Sequence, residues 1–467
     1  MVIYCFSGCR MLAIFIINEQ TNKSISEEKN IDNQQNNSQS VFTREILPGV
    51  NLTSINTNKF KSGCLTINFI AKLSPDTAAT YALLPRVLRR GSKNFPGLKQ
   101  ISAALDELYG ARIEPLVRKK GEVHCVGLYA DYPDDRFIPG EQELLEQTLS
   151  LVGQLLLSPN MQDGLLLEEY ISSEKANLID DIRAAINDKR SYAVDRLLEE
   201  MCPNESYSIG RLGTEKQADT ITPESLTQAY HHLLNQCRVE IFYCGSAEHE
   251  RVSVAVQSAL SGLSGRTSLI PKTEIILSPA KSTPGRFTES LDVSQGKLAI
   301  GFRLGAAMEN PDYPALIVFN SIYGGSITSK LFLNVRERLS LCYYASSTLD
   351  KHKGIMLVSS GVDFSNFEIA IDEIIAQLEL IKSGQISDWE LISAKKYVIT
   401  SIKSALDRLG GLEEFYFDSS ISAVSYNPME VCEKIEHITH EQITKIASEA
   451  LPDMIYILNN DKTPAAN

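Results

Sequence analysis

The chain has 467 residues, of which 43% are hydrophobic, so it can form more than one domain with a sizeable core. Its 45 basic and 58 acidic residues give a formal net charge of −13. Because binding to phosphates requires clustered Lys and Arg, this balance argues against nucleic acid as a partner.

The beginning of the chain reads as an extension over residues 1–44, apolar at 1–18 and then polar with low complexity. A signal peptide needs a basic n-region and a small-residue cleavage site, and the apolar part is short and interrupted for a membrane span. Three interpretations stay open: a disordered extension or upstream start, which we favour, a weak membrane anchor, and a degenerate export signal. Nine scattered cysteines without a CxxC motif indicate a reducing compartment, so we expect a cytoplasmic protein.

The remainder of the chain contains four pairs of similar segments in the same order. The pairs are GCLTINF with GKLAIGF, YALLPRVLRRGS with YPALIVFNSIYGGS, EYISSEKANLI with ELISAKKYVIT, and ITPESLTQAY with ITHEQITKIA. Their members are roughly 220 residues apart, which predicts a tandem duplication.

The predicted boundaries follow from this duplication. We expect domains at 45–264 and 291–460, an extended linker at 265–290 that contains Pro271, Pro279 and Pro284, and a tail at 461–467.

Within each half the pattern predicts a strand, a long helix, a hairpin, a helix, a second long helix, a further helix and a strand. The hairpin of the first half turns at Lys119-Lys120-Gly121. Apolar periodicity predicts a helix over 144–157, and Thr222 and Thr439 are predicted helix N-caps. The expected fold is α+β: two copies of a two-layer unit in which helices cover a mainly antiparallel sheet.

The segment NSIYGGSITSKLFLNVRERLSLCYYASS, residues 320–347, resembles the insulinase/pitrilysin family of zinc metallopeptidases, the inverzincins. Shared features are an Asn, a Gly-Gly-Ser turn, a Ser-x-Leu-Phe helix, a Val-Arg-Glu sequence and a tyrosine. The resemblance covers residues 45–460 and implies a metallopeptidase-like half clam shell.

Active members of that family bind zinc through HxxEH on the first long helix, where two histidines share one face and the glutamate activates water. Counting back from Gly91-Ser92, the motif falls on the segment Ala82-Leu83-Leu84-Pro85-Arg86. Ala82 and Arg86 replace the histidines and Pro85 replaces the glutamate. None of them can bind zinc or act as a base, and Pro85 is expected to kink the helix.

The third zinc ligand of active relatives is a glutamate in an E-x6-E pattern on the second long helix. The pattern matches Glu174, and Asp181 is a shortened substitute at the ligand position. We interpret both as surface charges or as ion-pair partners of Arg86. The histidine pairs 231–232 and 437/440 are better explained by solvated or capping roles, so we expect this chain to bind no metal.

In the family, the C-terminal half contributes an arginine and, seven residues later, a tyrosine that reach the scissile peptide. The resemblance assigns these substrate-orienting roles to Arg336 and Tyr343. A guanidinium can donate to a substrate carbonyl, and a phenol can donate to the oxyanion of a tetrahedral intermediate. Considered without the family, both residues also suit purely structural roles at a helix end and in a strand.

The resemblance therefore implies a pseudoenzyme: the non-catalytic subunit of a heterodimeric zinc peptidase that acts on peptides. A homologous partner with HxxEH would hold the zinc. The net charge of −13 would permit the implied substrate chamber to be acidic, which would favour basic peptides. An inert peptide-binding or structural assembly protein is the alternative, for which the resemblance implies a link to elongation factor P modification. An autonomous peptidase with another metal site is a third hypothesis.

Overall fold

Two β-sheets, one in each half of the chain, organise the protein. The computed structural model describes residues 40–140, 142–263, 269–279 and 282–460. The interpretations of residues 1–39 and of the tail therefore concern segments outside the described residues. Residues 40–44, predicted as part of the extension, begin a strand that pairs with the strand after it. Within the described ranges, no helix is both long and apolar enough to cross a membrane.

The first half comprises residues up to 263. Its strands are β1 (Ser40–Leu47), β2 (Val50–Asn56), β3 (Ser62–Lys72), β4 (Arg112–Lys120), β5 (Val123–Pro133), β6 (Met161–Gln162), β7 (Leu165–Leu166) and β8 (Arg238–Gly245). Its helices are α1 (Ala78–Arg89), α2 (Leu98–Glu107), α3 (Leu144–Leu157), α4 (Glu168–Ala184), α5 (Lys189–Met201), α6 (Glu215–Asp219), α7 (Pro223–Gln236) and α8 (His249–Ala259), with 3-10 turns at Asp135–Phe137, Ala185–Asn187 and Ser206–Ser208. The main sheet has the order β1-β2-β8-β3-β5-β4, and β6 pairs with β7.

The second half is built in the same way. Its strands are β9 (Gly285–Leu291), β10 (Gly296–Arg303), β11 (Cys342–Asp350), β12 (Ile355–Val362) and β13 (Leu451–Asn460). Its helices are α9 (Tyr313–Asn320), α10 (Phe367–Lys382), α11 (Asp388–Ala405), α12 (Leu409–Ile421), α13 (Pro428–Glu436) and α14 (His440–Ser448), with a 3-10 turn at Phe364–Asn366 and π-helical segments at Ser321–Gly325 and Leu331–Arg338. The sheet order is β11-β12-β10-β13-β9.

The two sheets repeat one topology. The order β9-β13-β10-β12-β11 corresponds strand by strand to β2-β8-β3-β5-β4. In each sheet the first of these pairs is parallel and the other main pairs are antiparallel. The predicted α+β fold, a duplicated and mainly antiparallel sheet under helices, is confirmed. Strand β9 begins at Gly285, inside the segment predicted as a linker, because its backbone pairs with β13.

The central strands of each sheet are buried on both faces, because a helix of the other half covers the face that the sheet's own helices leave open. Along β3, Leu65 and Ile67 pack in the helical core of the first half, whereas Cys64 and Ile70 face the opposite way. That second face is covered by α12 from the second half, and α5 from the first half covers the corresponding face of β10 and β13. The exchange makes the two halves one packed unit.

A buried charge network also joins the halves. Lys353, in the turn between β11 and β12, is fully buried and lies 2.7 Å from both Glu122 Oε1 and Glu205 Oε2 of the first half. On α12, buried Asp418 lies 2.8 Å from Lys120 Nζ and 2.9 Å from His352 Nε2. Because charges buried in the same region need partners, these contacts fix how the halves pack.

Candidate functional site

Helix α1 carries the degenerate metal motif. Ala82 is fully buried in the helical core, and Pro85 is buried within the helix. The helix is continuous from Ala78 to Arg89 although Pro85 has no backbone N–H to donate to the preceding turn. In active relatives these two positions carry a zinc-binding histidine and the catalytic glutamate. In this chain both are buried in an apolar core.

Two ion pairs connect α1 to α4. Arg86 Nη2 lies 2.7 Å from Asp181 Oδ2, the pairing considered from the sequence. Glu174 is paired differently: its Oε1 accepts from Arg90 Nη1 at 3.1 Å, and its Oε2 accepts from Asn177 Nδ2 at 3.2 Å. Arg90 was not singled out in the sequence, although it follows Arg86 by four residues and so lies on the same helical face.

The donor set at this place does not fit zinc. Ala82 and Pro85 offer no ligand atom, and the guanidinium of Arg86 would repel a cation. The two carboxylates, Glu174 and Asp181, each already accept from an arginine. Across the described residues, no group of three or more His, Cys, Asp or Glu is placed to hold a metal ion.

The histidines near α1 make ordinary structural contacts. The Tyr81 hydroxyl lies 2.8 Å from His232 Nδ1, and burial raises the pKa of Tyr81 to about 12. His124 Nε2 lies 2.9 Å from the carbonyl oxygen of Arg211, and burial lowers the pKa of His124 to about 4, so its ring is neutral at pH 7. In the second half, His437 Nδ1 lies 2.8 Å from the carbonyl oxygen of Glu433.

Arg336 lies in the π-helical segment Leu331–Arg338 and is partly exposed. Its guanidinium stacks 4.7 Å from the ring centroid of Phe332 and lies 3.6 Å from Glu337 Oε1, so its charge is only weakly satisfied. Segments with π-helical hydrogen bonding frequently occur at functional sites. Most of the guanidinium donors are therefore available to a ligand.

Tyr343 projects from an irregularity at the start of β11. The pairing register between β11 and β12 shifts between Cys342 and Tyr344, which leaves Tyr343 as the extra residue of a bulge. Its side chain is 62% exposed, and its hydroxyl lies 3.4 Å from Asp363 Oδ1. The bulge turns the phenol away from the regular pairing and towards solvent.

The Gly-Gly-Ser turn positions the segment before these residues. A Cβ on Gly324 would lie 2.7 Å from the backbone nitrogen of Ser347, and one on Gly325 would lie 2.7 Å from Asn320 Nδ2. The Ser347 hydroxyl donates to Asn320 Oδ1 at 2.7 Å. Close approach to the β11 backbone thus explains the glycine at 324, and close approach to Asn320 at the end of α9 explains the glycine at 325.

Comparison with known proteins identifies the family. Residues 220–398 match the family model described as "Peptidase M16 inactive domain". The chain is 32% identical over 410 residues to "Probable inactive metalloprotease YmfF" of Bacillus subtilis (strain 168), and the alignment covers 88% of this chain and 96% of that protein. The chain belongs to the M16 peptidase family. The predicted resemblance to an inactive member of this family is confirmed.

Solved structures with the same fold support this assignment. A conserved protein from Enterococcus faecalis V583 superposes with a TM-score of 0.83 at 28% identity, covering 91% of this chain and 99% of that one. A peptidase M16 inactive domain from Pseudomonas fluorescens gives a TM-score of 0.73 at 15% identity, covering 92% and 100%. The second likeness concerns the fold alone.

In this M16 protein the two sets of predicted site residues differ in burial and in how strongly their polar groups are paired. The α1–α4 positions are buried or held in ion pairs, whereas Arg336 is partly exposed, Tyr343 is exposed, and both have only weak polar partners. Among the described residues, the polar partners of Arg336 and Tyr343 are Glu337 and Asp363, both of the second half. Sequence reasoning missed the bulge and the π-helical segments, because neither leaves a distinct pattern of residue types.

Proposed function

We propose that this chain is the non-catalytic, substrate-orienting subunit of a heterodimeric M16 zinc peptidase that acts on peptides. The observation that carries the proposal is the exposure of Arg336 and Tyr343 on a π-helical segment and a bulge, with only weak partners at 3.6 and 3.4 Å. An arginine and a tyrosine kept only for packing would be expected to have stronger partners or deeper burial.

In the proposed complex, a homologous subunit with an intact HxxEH motif holds the zinc and performs hydrolysis. Arg336 donates to a carbonyl of the bound peptide, and Tyr343 donates to the oxygen that becomes negative as the peptide bond is attacked. This chain contributes no metal ligand and no general base. We place the complex in the cytoplasm, and the link to elongation factor P modification stays a prediction.

The test is cleavage of a quenched fluorogenic peptide by the reconstituted heterodimer. The isolated chain is expected to be inert, and the complex active. Tyr343→Phe is expected to lower kcat by about 100-fold, in the range found for loss of one oxyanion donor. Arg336→Ala is expected to lower kcat/KM by a similar factor, since it removes a charged donor to the substrate.

Matched control variants separate this role from a general loss of structure. Arg338→Ala removes an exposed arginine two residues from Arg336, and Tyr397→Phe removes the hydroxyl of an exposed tyrosine on α11. Both controls are expected to cleave like the parent complex. Normal cleavage by Arg336→Ala and Tyr343→Phe would contradict the proposal, and peptide binding without any cleavage would favour an inert binding or assembly protein.

A further inference from the structure

The ion pairs of α1 border an open cleft that is rich in arginine. The cleft has a volume of about 440 Å³. We call it the basic cleft and define it by four of its lining residues, Arg86, Arg89, Arg90 and Arg211. One wall is formed by residues 114–117 of β4, which is the end strand of its sheet among the described strands.

Carboxylates do not fully neutralise the basic cleft. Glu114 and Glu174 line it, and Asp181 pairs with Arg86 at its margin, so four guanidinium groups face three carboxylates. Arg211 lines the cleft without an ion pair to a described carboxylate within 4.0 Å, although its charge acts on Asp195. The local excess of positive charge contrasts with the net charge of −13 for the whole chain.

Two of the four arginines, Arg89 and Arg211, donate to backbone carbonyls of β4. Arg89 Nε donates to the carbonyl oxygen of Ile113 at 2.5 Å, and Arg211 Nη1 donates to that of Val117 at 3.5 Å. Each guanidinium has five N–H donors in a fixed plane, so these contacts orient the group and leave other donors for a ligand. The cleft is therefore arranged before any ligand arrives.

Two of the three carboxylate partners can be replaced easily. The side chains of Asp181 and Glu114 are 56% and 53% exposed, and ion pairs in such positions contribute little free energy. Glu174, only 14% exposed, is the more firmly held partner of Arg90. An incoming carboxylate could displace Asp181 from Arg86, or bind beside Arg211, with little cost.

We propose that the basic cleft binds a carboxylate of an extended peptide, either an acidic side chain or the C-terminal carboxylate. The inference rests on the proposed function, because it assumes that peptides are the ligands of this chain. Planar guanidinium groups match a carboxylate through paired hydrogen bonds, which selects it over a neutral amide. The cleft thus indicates a preference for acidic peptides, opposite to the preference for basic peptides expected from net charge.

The test measures binding of fluorescein-labelled peptides to the full chain by fluorescence anisotropy. One peptide carries glutamates, a second has glutamine at the same positions, and each is made with a free and an amidated C-terminus. The glutamate peptide is expected to bind roughly tenfold more tightly than its glutamine analogue, if side chains are the source of the carboxylate. A tenfold loss on amidation would instead identify the C-terminus.

Two variants make the basic cleft less positive, and a third makes it more positive. Arg86→Gln and Arg211→Gln are expected to weaken binding of the preferred peptide about fivefold to tenfold. Asp181→Asn, which frees Arg86 from its competitor, is expected to tighten it severalfold, a gain that misfolding cannot produce. Arg286→Gln, a charge change at an exposed ion pair with Glu368 in the second half, is the control and should have no effect.

The outcomes separate this inference from the proposed function. Equal affinity for all four peptides, or variants that bind like the parent, would overturn the carboxylate site, even if the heterodimer cleaves peptides as proposed. If no peptide binds the chain and no peptide is cleaved by the heterodimer, both fail. Cleavage that depends on Arg336 but ignores peptide charge would refute the basic cleft alone.

Discussion

Replacing Lys353 by methionine is expected to destabilise the folded chain by about 3–5 kcal/mol, the usual cost of removing one partner of a buried ion pair. Lys353 Nζ contacts Glu122 Oε1 and Glu205 Oε2, both at 2.7 Å, and donates to the carbonyl oxygen of Glu274 at 2.5 Å. Glu205 keeps Arg303 as a second partner at 2.6 Å, so the uncompensated charge in the variant is mainly that of Glu122. Methionine preserves most of the apolar volume and isolates the effect of the charge.

Urea unfolding at pH 7 provides the assay, with the free energy of unfolding extrapolated to water. The double variant Glu122→Gln/Lys353→Met should recover much of the loss, because it leaves no unpaired carboxylate at Glu122. Lys445→Met is the control: its ion pair with Asp312 is exposed, and the unfolding midpoint should not change. A loss below about 1 kcal/mol for Lys353→Met would refute the view that this network couples the two halves.

Three further predictions concern pH and packing. Burial lowers the pKa of His124 to about 4, so the free energy of unfolding of the parent falls by up to about 3 kcal/mol between pH 6.5 and 4, where the unfolded chain takes up a proton and the folded chain does not. His124→Gln should flatten this pH dependence. Burial alone would raise the pKa of Asp418, but the hydrogen bond from His352 and the charges of Lys351 and Lys120 hold it well below its usual range, so the parent loses stability as pH falls below about 4. Asp418→Asn should lower the free energy of unfolding by about 3–5 kcal/mol at pH 7 and weaken its dependence on acid, as measured by urea unfolding at several pH values. Gly324→Ala should lower the free energy of unfolding by about 1–3 kcal/mol in the same assay, because its Cβ would lie 2.7 Å from Ser347 N. Gly410→Ala on α12, where a Cβ meets nothing within 4 Å, should be neutral or stabilising. A flat profile in the parent, or equal effects of the two alanine variants, would contradict the respective arguments.

Local structure was predictable because its signals lie within a few residues. The hairpin turn after Lys120 is present, α3 spans Leu144–Leu157, and Thr222 and Thr439 cap α7 and α14 through capping boxes. Each of these features depends on side chains near the element itself. The duplication was also predictable, because the two copies retain similar short segments in the same order.

Long-range packing was not predictable from the same patterns. The apolar faces of α5 and α12 show that each helix is buried, but not that each covers the sheet of the other half. Asp418 reads in the sequence as an ordinary charge on a helix, and only the fold places it among Lys120, Lys351 and His352. Such partners come from distant segments, so no local pattern specifies them.

If a partner supplies the zinc and performs hydrolysis, as proposed, peptide cleavage must depend on that partner. Peptide hydrolysis at a controlled zinc concentration measures this dependence. The isolated chain, supplied with zinc, is predicted to cleave no peptide, and addition of a homologous HxxEH subunit is predicted to give cleavage that a chelator abolishes. Hydrolysis by the isolated chain that is lost with a chelator and restored by zinc would contradict the proposed division of roles between the two subunits.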